Sequence, residues 1–185
     1  MENEIMSNIK PLKSAEHVTN EYAKRILSNV IGKDSIKVLS ETPSTLKKLV
    51  KGLSKEQLHK KPAKNKWSIV EIIGHLSDTE LILGFRIRLS LSENGSPLQP
   101  IEQDNWVKNH KHNSRDVNAT FDAFTALRKY HVAFFSSLTK NELSRFGIHQ
   151  ERGKETVEFM IRLVSGHDLN HLVQIEALRK KWLGK

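Results

Sequence analysis

Apolar side chains recur along this chain at spacings of three and four residues, and they do not alternate with polar ones over the length of a strand. With no internal repeat of roughly 20 to 50 residues either, the pattern predicts an all-α fold. Ser14 reads as the cap of a first amphipathic segment carrying Val18, Tyr22, Ile26 and Val30 and closing at Gly32. Thr42 and Pro43 read as a cap followed by a first-turn proline, ahead of a stripe of Leu46, Leu49, Val50 and Leu53. Capping boxes start at Ser54 with Gln57, for a short turn ended by Pro62, and at Ser68 with Glu71, for a long helix to about residue 91. Asn94, Gly95 and Pro97 stop that helix, and a polar loop holding Ile101, Asp104 and Trp106 follows to about residue 115. Asp116 caps a third long helix through Leu138, Thr139 and Glu142 box a brief turn, and Gly147 and Gly153 mark a second loop. The last helix, from about 156 to 182, is apolar on most sides. These elements predict a four-helix bundle over residues 34–185, preceded by an N-terminal helical arm over residues 1–33.

Composition narrows the chemistry. In 185 residues there is room for one sizeable core. The chain has no cysteine, which excludes disulfides, thiolate zinc sites, iron–sulfur ligation and a cysteine nucleophile. It has 9 histidines and a net charge of +9, which suits anionic partners without choosing among them. The basic residues are dispersed and no aromatic-interleaved basic motif appears, so a nucleic-acid-binding module is the weakest of the readings. No apolar run is long enough to cross a membrane, and the acidic start MENEIMSNIKPLKS does not read as a signal peptide. A cytoplasmic location is expected.

Placing the histidines on the helices at about 100° per residue separates them. His17, His59, His110, His112 and His149 fall in the arm, on a short helix or in loops, and read as solvated polar residues. On the last helix Val157, Met160, Ile161, Val164, Ile175, Leu178 and Trp182 define an inward stripe that includes His171 and is flanked by His167. Their i, i+4 spacing stacks two imidazoles on one face, as in helical metal sites, although such a pair alone more often packs or hydrogen-bonds. His75 flanks the inward stripe of the second long helix. A buried neutral imidazole needs a partner for its lone pair, and one divalent cation accounts for three converging rings. His131 lies among the aromatic residues of the third helix and reads as a packed histidine rather than a fourth ligand. Glu80, Arg128 and Asp168 also point inward. They read equally as an ion pair that fixes helix register or as groups that orient a ligand imidazole, and Gln174 is a further candidate for that second role.

Lys66 to Ile69 leading to Gly74–Glu80, then Asp104, Asn105 and Trp106, then Gly166 to Ile175, together resemble the DinB/YfiT-like superfamily. The resemblance implies a four-helix bundle holding one divalent metal, often nickel or zinc, on His75, His167 and His171, and three neutral imidazoles suit manganese as well. It also implies a homodimer and a metal-dependent hydrolase, or a thiol-S-transferase using a low-molecular-weight thiol cosubstrate such as bacillithiol on a small-molecule substrate. Three neutral imidazoles leave open positions on such an ion, where water or a thiol is activated. With no cysteine in the chain, any sulfur nucleophile has to arrive on a small molecule. No residue in the sequence stands out as the catalytic base. A bundle in which the metal only clamps the helices is the non-enzymatic alternative.

Overall fold

The computed structural model describes residues 7–184. Its body is a bundle of α2 (Ser35–Val50), α4 (Ile69–Ser92), α6 (Val117–Ser136) and α8 (Val157–Leu183), with α1 (Glu21–Ser28) packed against α8. The short α3 (Lys55–His59) and α7 (Lys140–Ser144) connect long helices, and both carry the expected capping boxes, at Ser54 with Gln57 and at Thr139 with Glu142. Ser68 with Glu71 caps α4, and Asp116 caps α6, as their sequences predict.

Two starts differ from the sequence reading. Ser14 caps no helix; its Oγ accepts from the Glu16 N–H in a local turn, and α1 begins later, capped by Asn20. The second helix begins at Ser35 under an Asp34 cap, not at Thr42, so Pro43 lies inside it. A proline there cannot donate to the carbonyl four residues back, that of Leu39. That carbonyl is served from another helix, because Arg128 Nη1 donates to it at 3.1 Å. The helix therefore continues through its proline with the freed acceptor satisfied by a side chain.

The loop expected to run to about residue 115 contains α5 (Gln103–Asn109) and a 3-10 turn over His112–Ser114. A small sheet also forms at one end of the bundle, from β1 (Ser96–Leu98), β2 (Phe146–His149) and β3 (Gly153–Thr156). Strand β1 runs parallel to β2, with Ser96 opposite Gly147, and β2 and β3 form an antiparallel hairpin. Strands this short carry too few alternations to register as a period in sequence.

The core is divided in two. One apolar cluster includes Ile36, Leu39, Ile87, Phe135 and Ile161, the other Leu46, Ile72, Leu76, Phe124 and Ile175. Between them, at one level of all four long helices, lies a buried polar layer that contains Thr42, Glu80, Arg128, Asp168 and the histidines described below. Gly166 lets α1 approach this level closely, since a Cβ there would stand 2.2 Å from the carbonyl oxygen of Ile26.

Candidate metal centre

The Ser68 cap places His75 in the second turn of α4, and the long register of α8 places His167 and His171 one turn apart. All three are buried, and their Nε2 atoms converge: His75 to His167 at 2.9 Å, His171 to His167 at 3.1 Å. The Trp67 ring closes one side, with its centroid 4.7 Å from that of His75 and 6.1 Å from that of His171.

This arrangement fits a shared cation better than a set of hydrogen bonds. The Nε2 of His167 carries either one proton or one lone pair and so satisfies one of its two neighbours. Two nitrogens each about 2.1 Å from a common ion stand roughly 3.0 Å apart at a right angle and roughly 3.4 Å apart at the tetrahedral angle, which brackets the larger separation and lies close to the smaller. Gln174 Oε1 lies 3.0 Å from His171 Nδ1, so that nitrogen donates and Nε2 presents its lone pair. His167 Nδ1 is buried without a hydrogen-bond partner among the described residues. Burial pushes His75 down to about 3, with His171 adding to the effect, and pushes His171 down to about 4. His167 is held well below the ordinary imidazole range, by burial first and then by the other two rings. All three are neutral near pH 7, the form a metal requires.

Glu80, Arg128 and Asp168 form one buried ionic layer. Arg128 Nη2 donates to Glu80 Oε1 at 2.8 Å and to Asp168 Oδ1 at 3.2 Å, while Nη1 donates to Asp168 Oδ2 and to the Leu39 carbonyl. A single α6 guanidinium thus ties α2, α4 and α8 together. Burial opposes ionisation of Glu80, but Arg128 and His131 outweigh it and hold the carboxyl below its usual range. At Asp168 burial prevails over Arg128 and raises the carboxyl. Among the described residues neither carboxylate hydrogen-bonds a ring of the triad, so of the two sequence readings the structure supports the register-fixing one. His131 packs as expected, stacked on Phe135 at 5.3 Å with its Nδ1 donating to Glu80 Oε2 at 2.8 Å.

Two histidines depart from the solvated reading. His112 is 3% exposed and faces Asp78, and His149 is 1% exposed within β2. Both lie on short elements where periodicity gives no inward face. His59 is half-buried with its Nδ1 on the Asn113 carbonyl at 2.7 Å, whereas His17 and His110 are exposed.

A cavity of about 320 Å³ opens onto His75 and His167, walled by Leu83, Met160 and Val164 with Tyr22 and Arg86 also lining it. A second hollow, of about 580 Å³, is bordered by Trp67, Lys108 and Lys111. Asp104 of α5 lines both. None of these spatial relations could be read from the sequence, which marked Asp104 as a loop residue and part of the family resemblance without placing it beside a cavity.

Comparison with known proteins adds a family to this geometry. The family model for the DinB superfamily matches residues 39–175. A "Putative metal-dependent hydrolase" of Oceanobacillus iheyensis is 25% identical over 158 residues, covering 84% of this chain and 91% of that protein. One of the same name from Geobacillus thermodenitrificans is 25% identical over 151 residues, 80% of this chain and 84% of that one. Among solved structures, that of YfiT from Bacillus subtilis, "a probable metal-dependent hydrolase with an unusual four-helix bundle topology", superposes with a TM-score of 0.75 at 22% identity. It covers 97% of this chain and 98% of its own.

Proposed function

The chain belongs to the DinB superfamily, and from that premise we propose that it is a metal-dependent enzyme acting on a small molecule, with His75, His167 and His171 holding one divalent ion, nickel or zinc with manganese as a further option. The observation that carries this reading is the convergence of three neutral Nε2 atoms at the end of a cavity large enough for a small ligand. A bound ion would supply Lewis-acid activation of water or of a thiol. The chain's own residues do the rest. Gln174 fixes the ring of His171, Trp67 shields one flank, and Leu83, Met160 and Val164 give an apolar wall that orients a substrate and excludes bulk water. Glu80 and Asp168 are occupied by Arg128 and serve as no general base.

Hydrolysis is the first reaction class, in line with the names of the relatives. Thiol transfer is the second, as the resemblance implies. The homodimer implied by the resemblance and the cytoplasmic location expected from the sequence belong to the same reading. Leu81 and Phe85, exposed on one face of α4, are the side chains a second copy would cover.

Metal analysis of protein purified without a nickel column tests the site. One tightly held ion per chain at the triad is expected, lost in His171→Ala; a triad ion retained by that variant overturns the assignment. Ester and amide hydrolysis assays beside a thiol-conjugation assay then separate the two reactions. Silence in all of them, with a large loss of stability on chelation, supports the metal clamp instead.

A further inference from the structure

Asp78, His110 and His112 form a second set of metal-type donors that the triad does not use. One donor atom from each lies within 4.8 Å of the others. Their focus is a single oxygen, since Asp78 Oδ2 is 2.7 Å from His112 Nε2 and 3.4 Å from His110 Nδ1.

The backbone is shaped for this meeting. His110 closes α5, His112 opens the 3-10 turn, and Lys111 between them has a φ of 55°, in the left-handed region that non-glycine residues rarely adopt. That turn sends side chains at i and i+2 to the same carboxylate.

The donors are also supported from behind. Asp78 and His112 are buried, and the His112 ring lies so close to α4 that a Cβ on Gly74 would be 2.5 Å from its Cγ. The Trp106 ring packs 5.1 Å from that of His110. His112 and His110 together outweigh burial at Asp78 and keep its carboxyl below the usual range, so the oxygen carries charge. The His110 side chain is 41% exposed, which leaves the cluster open to solvent on that side. Two imidazoles and one carboxylate are a donor set that zinc and its neighbours in the first transition row accept with positions to spare.

We propose that Asp78, His110 and His112 bind a second divalent ion of the zinc class, distinct from the one at the triad. Asp78 follows His75 by three residues, about 4.5 Å along the helix axis, so the two ions would sit on adjacent turns of α4. The first would face the bundle interior and the second the α5 side.

Zinc titration of chelator-treated protein by calorimetry, with the bound metal counted after gel filtration, tests this. Two zinc ions per chain are expected in the parent protein. His110→Gln, at an exposed position where folding is safe, and Asp78→Asn, which keeps a hydrogen-bond acceptor for His112, should each weaken one site at least tenfold and leave the other unchanged. His171→Ala should remove only the triad's ion, and the double variant with His110→Gln should hold none tightly. A parent protein saturating at one ion, or a second ion whose affinity is unchanged in both His110→Gln and Asp78→Asn, overturns the proposal. Failure of the triad reading shows separately, as two ions retained in His171→Ala.

Discussion

Replacing Arg128 by Met keeps an unbranched apolar stem and removes the guanidinium and its charge from the middle of the bundle. Arg128 is 1% exposed, and Glu80 and Asp168 are each 0% exposed, so the variant leaves two carboxylates facing one another without a cation. It also strands the Leu39 carbonyl, which Pro43 already deprives of its helical donor. Breaking a buried ion pair on one side costs about 3–5 kcal/mol, and an unsatisfied buried acceptor adds about 1–3 kcal/mol where water does not replace the donor. Against a total stability of about 5–15 kcal/mol for a domain, the lower bound alone is a large fraction. At roughly 2–4 °C per kcal/mol for this size of domain, the melting temperature should fall by about 6–20 °C. The loss has a pH signature. Without Arg128 the Glu80 carboxyl rises above its unfolded value and that of Asp168, already raised by burial, rises further, so the folded variant binds more protons than the unfolded one and loses stability as pH rises through them. Urea and thermal unfolding of parent and variant at pH 5, 6.5 and 8 should show the smallest gap at pH 5 and the largest at pH 8. Arg128→Met combined with Glu80→Gln and Asp168→Asn should recover much of the loss at pH 8. A variant within about 1 kcal/mol of the parent at pH 8, or a gap independent of pH, would refute the view that this guanidinium balances the layer.

Other expectations concern the triad and its surroundings. Gln174→Leu should leave the melting temperature of the metal-free protein nearly unchanged while weakening metal affinity about 10–100-fold, because only the orientation of His171 depends on it; equal affinity by competition with a chromogenic chelator would contradict that role. Gly166→Ala should push α1 away from α8, destabilising by about 1–3 kcal/mol and making the segment around α1 the first site of limited proteolysis, since its Cβ would overlap the Ile26 carbonyl. The folded-state values near 3 for His75 and near 4 for His171 lie below the unfolded value of about 6.5. The unfolded state therefore binds more protons between those limits, and metal-free protein should lose stability as pH falls from about 6.5 toward 3. A His75→Gln, His171→Gln variant should lose less over the same range, and parallel curves for the two proteins would count against buried neutral imidazoles.

Helix type and most capping sites were legible in the sequence because they are local. Ser54, Ser68, Asp116 and Thr139 each satisfy backbone donors within three residues, so their role follows from spacing alone. The inward placement of His75, His167, His171, Glu80, Arg128 and Asp168 followed from the same helical period, and their burial agrees with it. Ser14 apart, where the reading failed the deciding partner lay far along the chain. Thr42 and Pro43 look like a helix start, yet the helix passes through them because Arg128, 89 residues from Leu39, takes the carbonyl that the proline leaves free. His112 looks like a loop residue, yet it is buried because Asp78, 34 residues away, meets its ring. The sheet exists because β1 finds β2 across α5, α6 and α7, a pairing that short strands do not announce. Spacing determined which residues face inward, since one helix's period decides that. Only tertiary packing decided that His75 and His167, 92 residues apart, meet at 2.9 Å, because that distance depends on how α4 and α8 lie against each other.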